Sequence, residues 1–341
     1  MKAAIVGVTG YTGIELIRLI QQHPYLTLGT IHRSEEEPIS IATMYPHLKG
    51  LEATIEAFNA QKIMQENDLV FFATPAGVTK ELVAPFVENN FLVIDLSGDL
   101  RLKEPSQYES WYQRSACDQE ILKQAIYALP EFSIKKGNLL SNPGCYATAC
   151  NLLLAPLVKN QVIDLDSIII DAKSGLSGAG KNLTQSSHFV NVDENMTMYK
   201  LNRHQHIPEI IQFLQQWAPK LQHLHFTTSL IPVKRGIFVS AYLRLAANQT
   251  VELVTNAYRK CYIDQPFVRI QPINQLPQLQ QVIGSNYCDI GFGYNKATKI
   301  LTAVAVIDNL IKGASGQAIQ NFNIWAGLPQ TTGLMQMPIF P

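Results

Sequence analysis

A chain of 341 residues is longer than one hydrophobic core usually organises, so two globular units are expected. With 47% hydrophobic and 16% charged residues, it can bury sizeable cores and carries too little charge for intrinsic disorder. Lys plus Arg and Asp plus Glu both number 27, which leaves no net field to draw the chain to nucleic acid or to an anionic membrane surface.

Residues 2–6 form an apolar run that ends in a glycine cluster, and residues 13–22 then carry Ile14, Ile17 and Ile20 with Leu16 and Leu19 beside them. This reads as strand, tight turn and helix. His23-Pro24 stops the helix, and residues 26–32 read as a second strand, completing a βαβ unit of a parallel sheet. Apolar runs at 68–73 and 91–96 predict two further strands, with a helix-like stretch over 78–88. No signal-peptide pattern follows Met1-Lys2 and no apolar run is long enough for a membrane span. Five scattered cysteines without a CxxC pair fit neither a disulfide framework nor a zinc site, so a cytoplasmic protein is expected.

The turn Gly7-Val8-Thr9-Gly10-Tyr11-Thr12-Gly13 has the spacing G-x-x-G-x-x-G between a strand and a helix. Glycines there permit a tight turn and let backbone N–H groups approach a pyrophosphate, which predicts dinucleotide binding through Gly7, Thr9, Gly10, Tyr11, Thr12 and Gly13. The second strand ends in His32-Arg33-Ser34, where an NAD site usually has an acidic residue. Arg33 and Ser34 suit a 2′-phosphate, so NADP is favoured, and Glu35-Glu36-Glu37 is read as a solvated turn.

Asp95-Leu96-Ser97-Gly98-Asp99-Leu100-Arg101 lies just past a strand end, where open α/β sheets gather ligands. Ser141-Asn142-Pro143-Gly144-Cys145 precedes a helix-prone apolar stretch and puts Cys145 near a helix N-terminus, a setting that activates a thiol and can hold an oxyanion. Cys117, Cys150, Cys261 and Cys288 are read as inert.

After about residue 160 the pattern changes to long β-rich runs at 167–172, 226–232, 236–245 and 298–307, which predict a second, mixed or antiparallel sheet. The loop 174–181, with three glycines and two serines, follows the first of these and predicts a ligand contact at Ser177 and Gly178. His204 and His206, on a segment read as extended, are the candidate proton acceptors for Cys145, with His206 first and His204 second. Glu209 is placed behind them to fix a ring tautomer. The two histidines lack a third ligand, so no metal is expected. Arg101 and Arg235 are candidate anion binders, joined by Asn142 at the substrate, and Asn309 is assigned to the cofactor. The division expected is a nucleotide-binding domain over 1–144, a catalytic and oligomerisation domain over 145–312, and a C-terminal helix within 313–341 that packs back on the first.

Taken together, GVTGYTGIEL at 7–16, DLSGDLR at 95–101, SNPGCYATA at 141–149, SGLSGAGK at 174–181, HQHIPEI at 204–210, PVKRGI at 232–237 and DNLIKGASGQAIQN at 308–321 resemble the N-acetyl-gamma-glutamyl-phosphate reductase family almost end to end. The resemblance implies an α/β fold, a Rossmann-type parallel sheet plus an α+β domain, similar to aspartate-semialdehyde and glyceraldehyde-3-phosphate dehydrogenases. It further implies NADP(H) as cofactor, a small-molecule acyl phosphate and inorganic phosphate as substrate and product, a homodimer or homotetramer, and a thioester on Cys145. Two rivals are set against it: the homologous reductase acting on a one-carbon-longer acyl phosphate in lysine biosynthesis, and a non-catalytic nucleotide-binding sensor.

Overall fold

The computed structural model describes residues 1–132 and 137–339, and the chain divides into two units, Met1–Pro143 with Ala314–Leu334 and Gly144–Gly313 with Met335–Pro341.

In the first unit, the apolar strand Lys2–Val6 is flanked by Thr27–Arg33 on one side and Leu69–Phe72 on the other, both parallel to it. Strand runs this apolar belong where both faces of a sheet are covered. The eight strands run in the order Ile39–Ser40, Thr54–Ala57, Thr27–Arg33, Lys2–Val6, Leu69–Phe72, Leu92–Asp95, Leu139–Ser141, Ile126–Tyr127. Only the edge strand Ile39–Ser40 is antiparallel. Strand order reverses at Lys2–Val6, so the glycine turn that follows it occupies a topological switch point. The helix Tyr11–Ile20 buries Leu16, Ile17, Leu19 and Ile20 and turns Arg18 outward to Glu15. Below the next strands, Phe72, Phe86, Val70 and Val93 share a core, each worth about 1.5–3 kcal/mol when buried. The stretch read as one helix over 78–88 is two short helices, Thr79–Leu82 and Ala84–Glu88, because Pro85 restarts the turn.

The C-terminal helix runs over Gly316–Trp325, preceded by the π-turn Ile311–Ser315, and buries Ala318, Ile319 and Phe322 in the first unit. Asn323 bonds His23 at 2.9 Å, and Ser315 Oγ donates to Thr12 O at 2.9 Å. The residues from Met335 group with the second unit, where Ile339 N–H donates to Ile283 O at 2.8 Å.

The second unit is built on a mixed seven-stranded sheet in the order Thr197–Tyr199, His225–Leu230, Ile169–Ser174, Ile237–Arg244, Ile300–Ile307, Cys288–Asn295, Val268–Ile270. Its central helix, Cys145–Lys159, is apolar nearly all round and buries every residue from Tyr146 to Val158. That pattern demands cover on all sides, which the sheet strands Ile237–Arg244 and Ile300–Ile307 and the helices His206–Leu214 and Val251–Tyr262 provide. Pro156 lies inside this helix and has no N–H for Leu152 O. The hydroxyl of Tyr262 takes the orphaned carbonyl at 2.5 Å, and Tyr258 donates to Leu153 O at 2.8 Å. Among the described residues, no helix is long and apolar enough to cross a membrane.

Candidate active site

Each glycine of the first turn has its own task. At Gly7, where φ is +86°, a Cβ would lie 2.6 Å from Ala73 O, and at Gly13 it would lie 2.7 Å from Gly7 O. No side chain fits either place. A Cβ at Gly10 would meet only Gly7 O, at 3.7 Å, so that glycine keeps open the approach to the helix N-terminus. The helix Tyr11–Ile20 starts without a side-chain cap and without an acidic residue in its first turn, leaving its N–H groups for an anion. Tyr45 OH donates to Thr9 O at 2.6 Å and steadies the turn.

At the end of the second strand, Arg33 donates to Glu37 O at 3.0 Å and lies 3.5 Å from the Glu35 carboxylate. Ser34 Oγ donates to the same Glu35 at 3.3 Å. The acidic turn is exposed, and one of its members is the present partner of both residues expected at a 2′-phosphate. The uncapped turn and a cation with a hydroxyl beside it fit a phosphorylated dinucleotide.

Arg101 and Asn142, expected at the substrate, direct their polar groups to the protein itself. The Arg101 guanidinium donates to Asn142 O at 2.9 Å and Leu96 O at 2.7 Å. The Asn142 carboxamide donates to Ala314 O at 3.2 Å and accepts from Asn321 at 3.0 Å. Both residues are buried, and a buried guanidinium or amide must find such partners. Asp95 sits beside them, fully buried, with its carboxyl pushed up to about 6 by that burial and by Asp99.

Cys145 is the first residue of the helix Cys145–Lys159, half-buried, with Gly144 as a cap that offers no side chain. Gly144 N–H donates to Glu209 Oε1 at 2.8 Å, and the other oxygen of that carboxylate lies 4.0 Å from His206 Nε2. One buried carboxylate thus serves both the turn that carries the thiol and the neighbouring imidazole. The thiol of Cys150, fully buried on the same helix, is pushed up well above the ordinary range and is inert.

The histidine pair departs from the extended reading. Gln205 is already in the right-handed helical region and the helix begins at His206, so the two rings meet at 4.6 Å and 63° rather than projecting in parallel. His204 is boxed by Tyr146, Tyr199 and Phe226, and its imidazole is held down to about 3 by burial and by Lys200. Such a ring is neutral at any working pH. Among the described residues, no group of three or more His, Cys, Asp or Glu side chains is arranged to hold a metal ion.

Farther along, the loop 174–178 pairs with 233–236 through backbone bonds, and a Cβ on Gly175 would lie 2.9 Å from the Arg235 backbone. Asn309 joins the two segments by accepting from Gly236 N–H at 2.7 Å and donating to Ser177 Oγ at 3.0 Å. Gly178 is exposed, and its Cβ would lie 2.6 Å from Ser174 Oγ. Arg235, half-exposed, lies 3.4 Å from the buried carboxylate of Asp308. Sequence reasoning gave Tyr45 no role of its own, because it carries no periodic signal and acts through a tertiary contact to Thr9 O.

A parallel-sheet nucleotide unit and a mixed-sheet unit that opens on a cysteine helix define the semialdehyde dehydrogenase class. The family models agree: "Semialdehyde dehydrogenase, NAD binding domain" matches residues 2–137, and "Semialdehyde dehydrogenase, dimerisation domain" matches 145–309. Solved structures share the fold at low identity. Aspartate semialdehyde dehydrogenase II of Vibrio cholerae has a TM-score of 0.69 at 14% identity, over 96% of this chain and 98% of that one. The Candida albicans enzyme with NADP has a TM-score of 0.64 at 16% identity, over 95% and 98%. Much nearer relatives are the N-acetyl-gamma-glutamyl-phosphate reductases of Streptococcus gordonii, 53% identical, and Staphylococcus epidermidis, 52% identical, each over 100% of both chains. This chain belongs to the N-acetyl-gamma-glutamyl-phosphate reductase family.

Proposed function

We propose that the chain carries out NADPH-dependent reduction of N-acetyl-gamma-glutamyl phosphate to N-acetyl-L-glutamate 5-semialdehyde and phosphate, a cytoplasmic step of arginine biosynthesis. The observation that carries this reading is Cys145 at the open start of a buried helix, with Glu209 bonded to the preceding residue and His206 beside that carboxylate. The relatives' shared name supplies the substrate.

His206 takes the Cys145 proton, and the thiolate sulfur attacks the acyl carbon of the substrate. The bond from that carbon to the phosphate oxygen breaks, and the departing oxygen receives the proton from His206. The acyl chain remains as a thioester on Cys145. The Gly7–Gly13 turn with Arg33 and Ser34 would hold NADPH, which would supply the hydride that reduces the thioester. Backbone N–H groups at the uncapped start of the Cys145 helix hold the resulting oxyanion. As the carbonyl re-forms, the C–S bond breaks, its electron pair returns to sulfur, and the aldehyde leaves. Arg235, oriented by Asp308, is the anchor for an anionic group of the substrate, and Ser177, Gly178 and Asn309 shape the loop toward the cofactor.

An apolar surface on the second unit supports a homo-oligomer. Leu183, Phe189, Val190, Met196, Met198 and Leu201 are exposed apolar side chains within the segment matched by the dimerisation-domain model. A second copy of the chain is their cover, in a homodimer or homotetramer, as sedimentation of the purified protein will report.

The test of the reaction is phosphate-dependent reduction of NADP with N-acetyl-glutamate semialdehyde, run beside aspartate semialdehyde and the adipate homologue. Activity with the first alone, lost in Cys145→Ala, is the expected result. Preference for the longer homologue moves the enzyme to lysine biosynthesis, and inactivity with all three leaves a nucleotide-binding sensor.

A further inference from the structure

A nine-residue helix that starts at His206 leaves its first backbone N–H groups without intrahelical acceptors. The residue in the capping position does not help: the side chain of Gln205 accepts from Lys200 Nζ at 2.8 Å and makes no cap bond. Instead His204 Nδ1 accepts the backbone N–H of His206 at 3.2 Å. Three aromatic rings, Tyr146, Tyr199 and Phe226, fix the plane of that imidazole at centroid distances of 5.2, 5.9 and 5.9 Å.

We infer that His204 is a positioning residue, a neutral imidazole that caps the helix carrying His206 and so sets where the acid–base ring stands. The inference rests on the proposed role of His206. A neutral ring that accepts at Nδ1 carries its proton on Nε2 and has no lone pair left to take one from a thiol. Burial and Lys200 keep it neutral throughout the working range, since both disfavour the imidazolium. Within the pair, His204 holds and His206 exchanges protons.

The capping geometry, from a side chain to the backbone N–H two residues on, is one that asparagine reproduces and phenylalanine does not. The test compares His204→Asn, His204→Phe, His204→Leu and His206→Asn by kcat, KM, the pH–rate profile and circular dichroism. His204→Asn is expected to keep kcat within about three-fold, with the wild-type pH profile. The folded acceptor-free variant, Phe or Leu, is expected to lose about 30-fold in kcat with little change in KM. His204→Asn as inactive as His206→Asn, or lacking a limb of the pH profile, overturns the inference, because His204 would then move the proton itself. Wild-type kcat in a folded acceptor-free variant overturns it too, leaving only the aromatic box. Full activity in His206→Asn instead removes the reading of His206, a result the His204 series does not mimic.

Discussion

The point where a side chain on Gly313 would begin lies 2.8 Å from Cβ of Cys145 and 3.3 Å from its Cα. The π-turn Ile311–Ser315 brings it there, with Gly313 N–H donating to Asp308 O at 2.9 Å. Irregular turns of this kind recur at functional sites. A methyl group on Gly313 must push the first turn of the Cys145 helix, because the atoms it meets are backbone and Cβ rather than a flexible tip. Gly313→Ala is therefore expected to lower kcat by about ten-fold or more, with KM little changed and stability reduced by about 1–3 kcal/mol. Steady-state kinetics and a thermal melt check both; unchanged kcat would show that the contact relaxes without reaching the thiol.

Arg33 is the proposed contact for the 2′-phosphate. Its guanidinium lies 3.5 Å from Glu35, an exposed carboxylate that a 2′-phosphate would replace as partner. Removing the cation should raise KM for NADPH by about ten-fold or more, the worth of a charge-assisted hydrogen bond, and leave KM for NADH nearly unchanged. Glu35→Ala should move KM for NADPH the other way, since a competitor is gone. Equal effects of Arg33→Ala on both cofactors would sink the assignment.

Much of this architecture was legible because burial writes itself into composition. Lys2–Val6, Leu69–Phe72 and Leu92–Asp95 read as strands since both faces are covered, and the Cys145 helix read as a helix since it is apolar all round. Cys288–Asn295 was not legible: Gly291 and Gly293 weaken any strand signal, and only the fold shows that a Cβ on Gly291 would strike the Gln275 carbonyl. Within the proposed site, the cysteine and the histidines could be nominated by chemistry alone. Their arrangement could not, because whether His204 and His206 stand on a strand or a helix start depends on one residue, Gln205, whose helical torsions nothing in its type dictates. Arg101 poses a related difficulty: a guanidinium that binds anions and one that ties carbonyls look the same in sequence, and this one donates to Asn142 O and Leu96 O.

Asn309 offers a stability test with a built-in rescue. Its carbonyl oxygen is the acceptor for the buried Gly236 N–H. Asn309→Ala leaves that donor unmet and should cost about 1–3 kcal/mol. Asn309→Asp keeps the acceptor, and its second carboxylate oxygen can accept from the Ser177 hydroxyl in place of the donated bond, so it should cost less. Denaturant midpoints for the two variants decide the matter; an Ala variant as stable as the Asp variant would mean that Gly236 finds another acceptor.

The buried Asp95 makes the fold sensitive to pH in a direction opposite to most carboxylates. Burial is the largest cause of its raised pKa, Asp99 adds to it, and the Ser97 hydrogen bonds and Arg101 offset part. A carboxyl raised from 3.8 to about 6 on folding contributes its stability in full below the lower value and loses it as pH rises through the upper one. Between about pH 4 and about pH 7.5 the loss amounts to roughly 2.5 kcal/mol from this group alone. Asp95→Asn cannot ionise, and it retains an acceptor for Ser97. The stability of this variant relative to wild type should therefore improve as pH rises from about 4 to about 6 and level off above that. Urea midpoints measured at both ends of the range test this, and a difference between variant and wild type that does not move with pH would show that Asp95 titrates as it does in the unfolded chain.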